Sequence, residues 1–174
     1  MNHYQWDGRF VELFERCAER YRGGDRNHNG YYSDEDLRFL KAIGYKNREF
    51  FDFVEDHCDD GEPSATTALM VASVRRDYLR WEMDGRSSRH EITSDELPGR
   101  SEALGGVDWL PRIIVKARAK LRGELDPDIM FCCGGDRGFL RHHNIAPADF
   151  LRGVWSAEND DSKILEFVKA HSES

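Results

Sequence analysis

Residues 64–83 read SATTALMVASVRRDYLRWEM, and this segment predicts the central helix of the protein. Ser64 follows Pro63 and is a favoured N-cap residue, so it marks the start of the helix. From Ala68 to Val74 the segment is apolar on nearly every side. A helix that is apolar all round is normally buried. We therefore expect the rest of the chain to pack around it.

Helical periodicity recurs on both sides of this segment. Apolar residues return every three or four positions, which is the spacing of an amphipathic helix. The further predicted helices are 7–22, 34–43, 48–58, 109–122, 137–143, 148–157 and 162–171. No alternating pattern of a strand stands out. The sequence thus predicts an all-α fold, an irregular helical bundle of about seven to eight helices.

Residues 85–104 are the main interruption of this helical pattern. They are polar and contain Ser87, Ser88 and Pro98, which are typical of a loop. We expect a single helical domain over residues 1–174. The alternative is a division into N-terminal helices at 1–84 and a C-terminal domain at 105–174, joined by the loop 85–104.

The composition argues against several classes of protein. The 174 residues include 33 Asp and Glu against 25 Lys and Arg, which gives a net charge of −8. An acidic chain is a poor general binder of nucleic acid. No apolar run reaches the roughly 20 residues of a membrane span, and the first residues lack the pattern of a secretory signal. We therefore expect that the protein binds neither nucleic acid nor membrane.

The cysteines favour a reducing compartment. They are Cys17, Cys58, Cys132 and Cys133. Two are adjacent, and the set lacks the even spacing of a secreted disulfide framework. The sequence therefore predicts a cytoplasmic protein with free thiols.

Several motifs resemble a known family. The motifs of the second half are 104–107 (LGGV), 109–112 (WLPR), 116–121 (KARAKL) and 133–137 (CGGDR), and those of the first half are 49–57 (EFFDFVEDH) and 74–78 (VRRDY). Together they resemble a bacterial family catalogued as domain of unknown function five thousand and sixty-nine. The resemblance implies a soluble helical protein. It implies no activity and no catalytic residues.

The clearest candidate site is the turn Cys133-Gly134-Gly135-Asp136-Arg137, just before the predicted helix 137–143. Glycines let backbone N–H groups approach a ligand, and a helix N-terminus favours an anion or a thiolate. The candidate catalytic residues are Cys133 and Asp136. The candidate ligand-binding residues are Gly134, Gly135, Arg137 and, from the basic helix 109–122, Arg112 and Lys116.

A structural interpretation of this turn stands beside the functional one. In it, Asp136 caps the following helix and both cysteines pack as small apolar groups. The basic helix also has two interpretations. It carries five basic residues and no acid from Arg112 to Arg122, and either a small anion or the acidic first half of the chain neutralises it.

Residues 25–36 fit much of a calcium-binding helix–loop–helix loop. The candidate ligands are Asp25, Asn27, Asn29, Ser33 and Asp36, with Gly30 at the sharp turn. Two departures weaken the match, because Asp36 replaces the bidentate Glu and Tyr32 replaces an aliphatic residue. The alternative is a polar turn in which Ser33 caps the next helix.

These features support three functional hypotheses. The first is a small-molecule or anion-binding protein, or an enzyme, whose Cys133 is a nucleophile with His142 or His57 as its base. The second is a calcium-binding module. The third is a helical interaction or scaffold protein without catalysis, which forms a homo-oligomer through exposed aromatic residues. Histidines and cysteines lack the spacing of a transition-metal site.

Overall fold

The computed structural model describes residues 3–172, and in this part of the chain it contains eight α-helices and one short hairpin. The helices are α1 (Trp6–Arg22), α2 (Asp34–Ala42), α3 (Asn47–Asp60), α4 (Ala65–Trp81), α5 (Leu110–Arg122), α6 (Gly134–His142), α7 (Pro147–Ala157) and α8 (Asp161–Ser172). Antiparallel strands β1 (Ala103–Leu104) and β2 (Val107–Asp108) form the hairpin. The predicted all-α class is confirmed.

The chain divides into two compact units. The first unit, Met1–Arg86, contains α1 to α4. The second unit, Ser87–Ser174, contains the hairpin and α5 to α8. Within residues 3–172, none of the helices combines the length and the apolar character that a membrane crossing requires.

Helices α1, α3 and α4 build the core of the first unit. Phe10 of α1 meets Phe50 of α3 edge to face, with ring centroids 5.2 Å apart, which is a favourable geometry for two aromatic rings. The apolar segment of α4 buries Ala68, Val71, Ala72 and Val74. Met70 stays 40% exposed, because a unit of four helices is too small to surround one of them. The central helix is therefore buried on one side only.

Helix α5 is the core helix of the second unit, where it packs against α7. Its predicted apolar residues are all buried: Leu110, Ile113, Ile114, Ala117 and Leu121. Trp109 precedes the helix in a left-handed conformation (φ 69°), and Pro111 occupies the first turn, where its missing N–H costs nothing. Gly123 ends the helix with a positive φ.

Residues 87–104 carry more structure than a loop pattern indicates. The Ile92 amide donates to the Glu124 carbonyl at 2.8 Å, and Ile92 is buried. Ser88 Oγ donates to the Glu124 carboxylate at 2.7 Å. These contacts attach the segment to the residues that follow α5. Strands of two residues are too short to show alternation, so the hairpin has no sequence signal.

Candidate functional site

The start of α6 differs from its predicted position. The helix begins at Gly134 instead of Arg137, with Cys133 as its N-cap residue. A residue in the left-handed conformation precedes the N-cap, at Cys132, whose φ is 71°. Gly134 and Gly135 therefore form the first helical turn, and Asp136 stands at its third position instead of capping the helix.

A group of four residues, which we call the Cys133 cluster, joins the beginning of α6 to α5. Its members are Trp109, Lys116, Cys133 and Asp136. Asp136 is its centre and has no exposed surface. The carboxylate accepts from Trp109 Nε1 at 3.0 Å, from the Cys132 amide at 2.9 Å and from Lys116 Nζ. These three bonds join the beginning of α6 to Trp109 and to Lys116 of α5.

Lys116 connects this buried carboxylate to the Cys133 thiol. Its side chain is almost wholly buried, and Nζ lies 3.3 Å from Cys133 Sγ. Cys133 itself is half-buried, so part of the residue faces solvent. Asp136 holds the ammonium in place beside the thiol. The structure thus brings together three of the residues that the sequence selected.

Cys132 differs sharply from its neighbour. It is buried, and burial raises the pKa of its thiol to about 12, although Arg137 and Lys120 act in the opposite direction. Its amide and its carbonyl are both bonded, to Asp136 and to Arg137. Such bonds hold a residue in a left-handed conformation that costs free energy. Of the two adjacent cysteines, Cys133 is the accessible one.

The two glycines of the site have different reasons for being glycine. Both are exposed and lie in the first turn of α6. Backbone amides in this turn have no acceptor within the helix. A Cβ on Gly135 would lie 2.7 Å from Cζ2 of Trp109. A Cβ on Gly134 would meet only Arg137, at 3.8 Å. Gly135 is therefore required by the packing of Trp109, whereas Gly134 has room for a side chain.

The two arginines selected from the sequence already bind backbone carbonyls. Arg137 Nη1 donates to the Cys132 carbonyl at 2.9 Å. Arg112 Nη1 donates to the Pro98 carbonyl at 2.7 Å, and its guanidinium lies 5.8 Å from the centre of the Trp109 ring. Both side chains therefore support the backbone around the Cys133 cluster.

The two histidines suggested as a base have other contacts. His57 belongs to the first unit, where Nδ1 lies 3.0 Å from the Pro63 carbonyl oxygen. His142 is exposed on α6 beside His143. Among the described residues, the side chain that bonds to the Cys133 thiol is Lys116.

The predicted calcium loop is held together by arginines of α1. Asp25 pairs with Arg20 at 2.7 Å and accepts from the Asn27 amide at 2.8 Å. The middle of the loop, with Asn29, forms a 3-10 helix at His28–Gly30. The carboxylate at the first ligand position is thus already paired.

Asp36, at the last ligand position, is buried under two further arginines. It pairs with Arg9 at 2.7 Å and with Arg16 at 2.5 Å, and it forms a capping box with Ser33 at the start of α2. Burial raises the pKa of Asp36, but the bonds from Ser33 and the charges of Arg16 and Arg9 outweigh it and leave the pKa low.

Residues 3–172 contain no group of three or more His, Cys, Asp or Glu side chains that could hold a metal ion. Calcium binding at residues 25–36 stays a prediction. The ion would have to displace the arginines from Asp25 and Asp36. Calorimetric titration with millimolar calcium tests it, because that is the weak end of such loops.

Sequence reasoning missed a cavity of about 740 Å³ in the first unit. Its walls come from the start of α1 and from α2, and they include Trp6, Arg9, Glu12, Glu35, Arg38 and Phe39. The volume falls in the usual range of ligand pockets. The lining residues are about 30 positions apart along the chain, so only their folding together could identify them.

Comparison with known proteins finds a family model that matches most of the second unit. Intraflagellar transport protein 122 homolog of Xenopus tropicalis is 23% identical over 164 residues, which cover 84% of this chain and 14% of that protein. This chain therefore spans only a small part of the length of that relative. No solved structure matches the chain. Residues 95–174, nearly the whole second unit, match the family described as Domain of unknown function (DUF5069).

Proposed function

We propose that the second unit binds a small anionic molecule at Cys133 and that the thiol of this residue acts as a nucleophile toward it. The observation that carries the proposal is the distance of 3.3 Å between Lys116 Nζ and the half-buried Cys133 Sγ. The Lys116 ammonium donates a hydrogen bond to the sulfur, and a cysteine attacks as a nucleophile through this atom.

The charge of the surroundings supports an anionic ligand. Among the described residues 87–172, the buried charged side chains are Lys116, Lys120, Arg137 and Asp136. These are three cations against one carboxylate. Exposed amides at the start of α6 add the positive end of a helix dipole. A negatively charged group of a ligand beside Cys133 would therefore be stabilised.

Alkylation of the native protein with two reagents tests both parts of this proposal. Iodoacetamide is neutral and iodoacetate is anionic. With either one, the thiolate forms a sulfur–carbon bond as the carbon–iodine bond breaks and iodide leaves. Mass spectrometry of the cysteine peptides gives the rate at each site. Cys58 is the internal control, because it is also half-buried and burial raises the pKa of its thiol.

We expect Cys133 to react about tenfold faster than Cys58 at neutral pH. We also expect the ratio of the iodoacetate rate to the iodoacetamide rate to be higher at Cys133, and to fall in Lys116→Gln. Equal rates and equal ratios at the two cysteines in the wild-type protein would contradict the proposal without any variant. The third hypothesis, a helical interaction protein without chemistry, would then be favoured.

We further propose that the protein is bacterial and works in the cytoplasm. The motifs that resemble a bacterial family support the first statement. All four cysteines are free, which supports a reducing compartment.

A further inference from the structure

A second cavity lies in the first unit, beside the ends of α2 and α4. Its volume is about 330 Å³. The polar residues of its wall are His3, Lys41, Arg80 and Asp84. Three of these four side chains can carry a positive charge, although the first half of the chain has more acidic than basic residues.

Lys41 and Arg80 form no ion pair with any residue in the described range 3–172. Both stand in the last turn of their helices, where a cation interacts favourably with the helix dipole. Their position alone is therefore explained without a ligand. A third cation beside the cavity is not explained in this way.

That cation is Arg76, which lies in the interior of α4. Its side chain is only 8% exposed, and its Nε has no hydrogen-bond partner. Nη1 lies 3.2 Å from Asp77, and Nη2 lies 3.4 Å from Nδ1 of His3, which lines the cavity. Burial, followed by the charge of Arg80, lowers the pKa of Arg76. The ion pair with Asp77 and the Trp6 ring, 4.8 Å from the guanidinium carbon, compensate part of this buried charge.

We propose that this cavity binds the phosphate group of a small molecule. Arg76, Arg80 and Lys41 together exceed the charge of Asp77 and Asp84 by one unit. A phosphate carries close to two negative charges at neutral pH, and guanidinium donors match its oxygens. A phosphate offers three acceptor oxygens to these three cations, whereas a carboxylate offers two. The volume is sufficient for a small phosphorylated compound.

The protonation of His3 provides a measurable sign of phosphate binding. Burial, then the charges of Arg80 and Arg76, lowers the pKa of His3, and the same wall presents Lys41 and Asp84. A bound phosphate would oppose the effect of these cations and favour the protonated imidazole. Phosphate binding should therefore take up more protons in the wild-type protein than in His3→Gln.

Calorimetric titration of the whole chain with inorganic phosphate and with pyrophosphate tests the site. We expect binding at low salt that weakens at least tenfold in Arg80→Gln and in Lys41→Gln. Arg38→Gln is the matched control, since Arg38 is an exposed cation of α2 that lines the other cavity. Titrations in two buffers of different ionisation enthalpy measure the proton uptake.

Three results would overturn the inference. The first is no binding of either anion at about 1 mM, a very weak affinity. The second is an equal loss of affinity in Arg38→Gln and Arg80→Gln, which would indicate a general effect of charge. The third is equally tight binding of acetate. Circular dichroism of each variant shows that it is folded, and the outcome is independent of Cys133 because the site lies in the other unit.

Discussion

Gly135 lies next to the Cys133 cluster and has no room for a side chain. A methyl group there would overlap the Trp109 ring, which would then lose its hydrogen bond to Asp136. We expect Gly135→Ala to lower the free energy of unfolding by about 1–3 kcal/mol, the usual cost of overpacking. Chemical denaturation measures it. Gly134→Ala is the control and should be neutral or stabilising; equal losses in both variants would contradict the packing argument.

Asp52 is a buried carboxyl group of α3 with an unusual titration. Arg48 Nε lies 2.8 Å from its Oδ1. Burial outweighs this cation and raises the pKa of Asp52 to about 7, and Glu55, Glu49 and Asp56 contribute to the rise. Asp52 is therefore half-protonated near neutral pH in the folded protein.

This titration makes stability depend on pH. An unfolded aspartate has a pKa of about 3.9, so between about pH 4 and 7 folding takes up a proton. The free energy of unfolding should then fall as pH rises, by up to about 1.4 kcal/mol per pH unit. We expect Asp52→Asn to reduce this slope relative to that of the wild-type protein. Denaturation at several pH values measures both slopes, and an unaltered slope in Asp52→Asn would refute the assignment.

Individual residues of the candidate site could be predicted only in part. Cys133 and Asp136 were selected because they are neighbours in a glycine-rich segment. The role of Asp136 could not be predicted, because its partners Trp109 and Lys116 are 27 and 20 positions away. The same holds for Arg76 and His3, which are 73 positions apart.

At the scale of elements, the Lys116–Asp136 ion pair couples α5 to α6. Both side chains are buried, so removing one charge leaves the other uncompensated. We expect Lys116→Met to lower the free energy of unfolding by about 3–5 kcal/mol. The control is Lys163→Met, because Lys163 is 64% exposed and pairs with Asp160 only at 4.0 Å; it should cost less than about 1 kcal/mol. A similar small loss in both variants would show that the buried pair does not couple the helices.

The segment 25–36, which leads into helix α2, fits two interpretations of its sequence. Oxygen-bearing residues at 25–36 match the spacing of calcium ligands, and the same residues form a capping box and arginine pairs. Spacing alone could not distinguish the two, because Arg9 and Arg16 come from a different helix. Helix boundaries were predicted well where a cap residue is local, as at Ser33 and Ser64.

At the scale of the whole molecule, the division after Arg86 has a testable consequence. Residues 1–86 contain four helices with a core of their own. We expect this segment, expressed alone, to remain helical and to unfold cooperatively. Circular dichroism and thermal denaturation measure both properties. An unfolded segment would favour the alternative that one core extends over the whole chain.

The sequence by itself determined the helical class, most helix positions and the apolar face of α5, because these depend on residues within a few turns of each other. Tertiary structure decided which charges are paired. The arginines of α1 occupy Asp25 and Asp36, Lys116 lies beside Cys133, and Arg76 meets His3. Electrostatic interactions depend on distance and burial, and for residues on different elements both are set only when the helices pack.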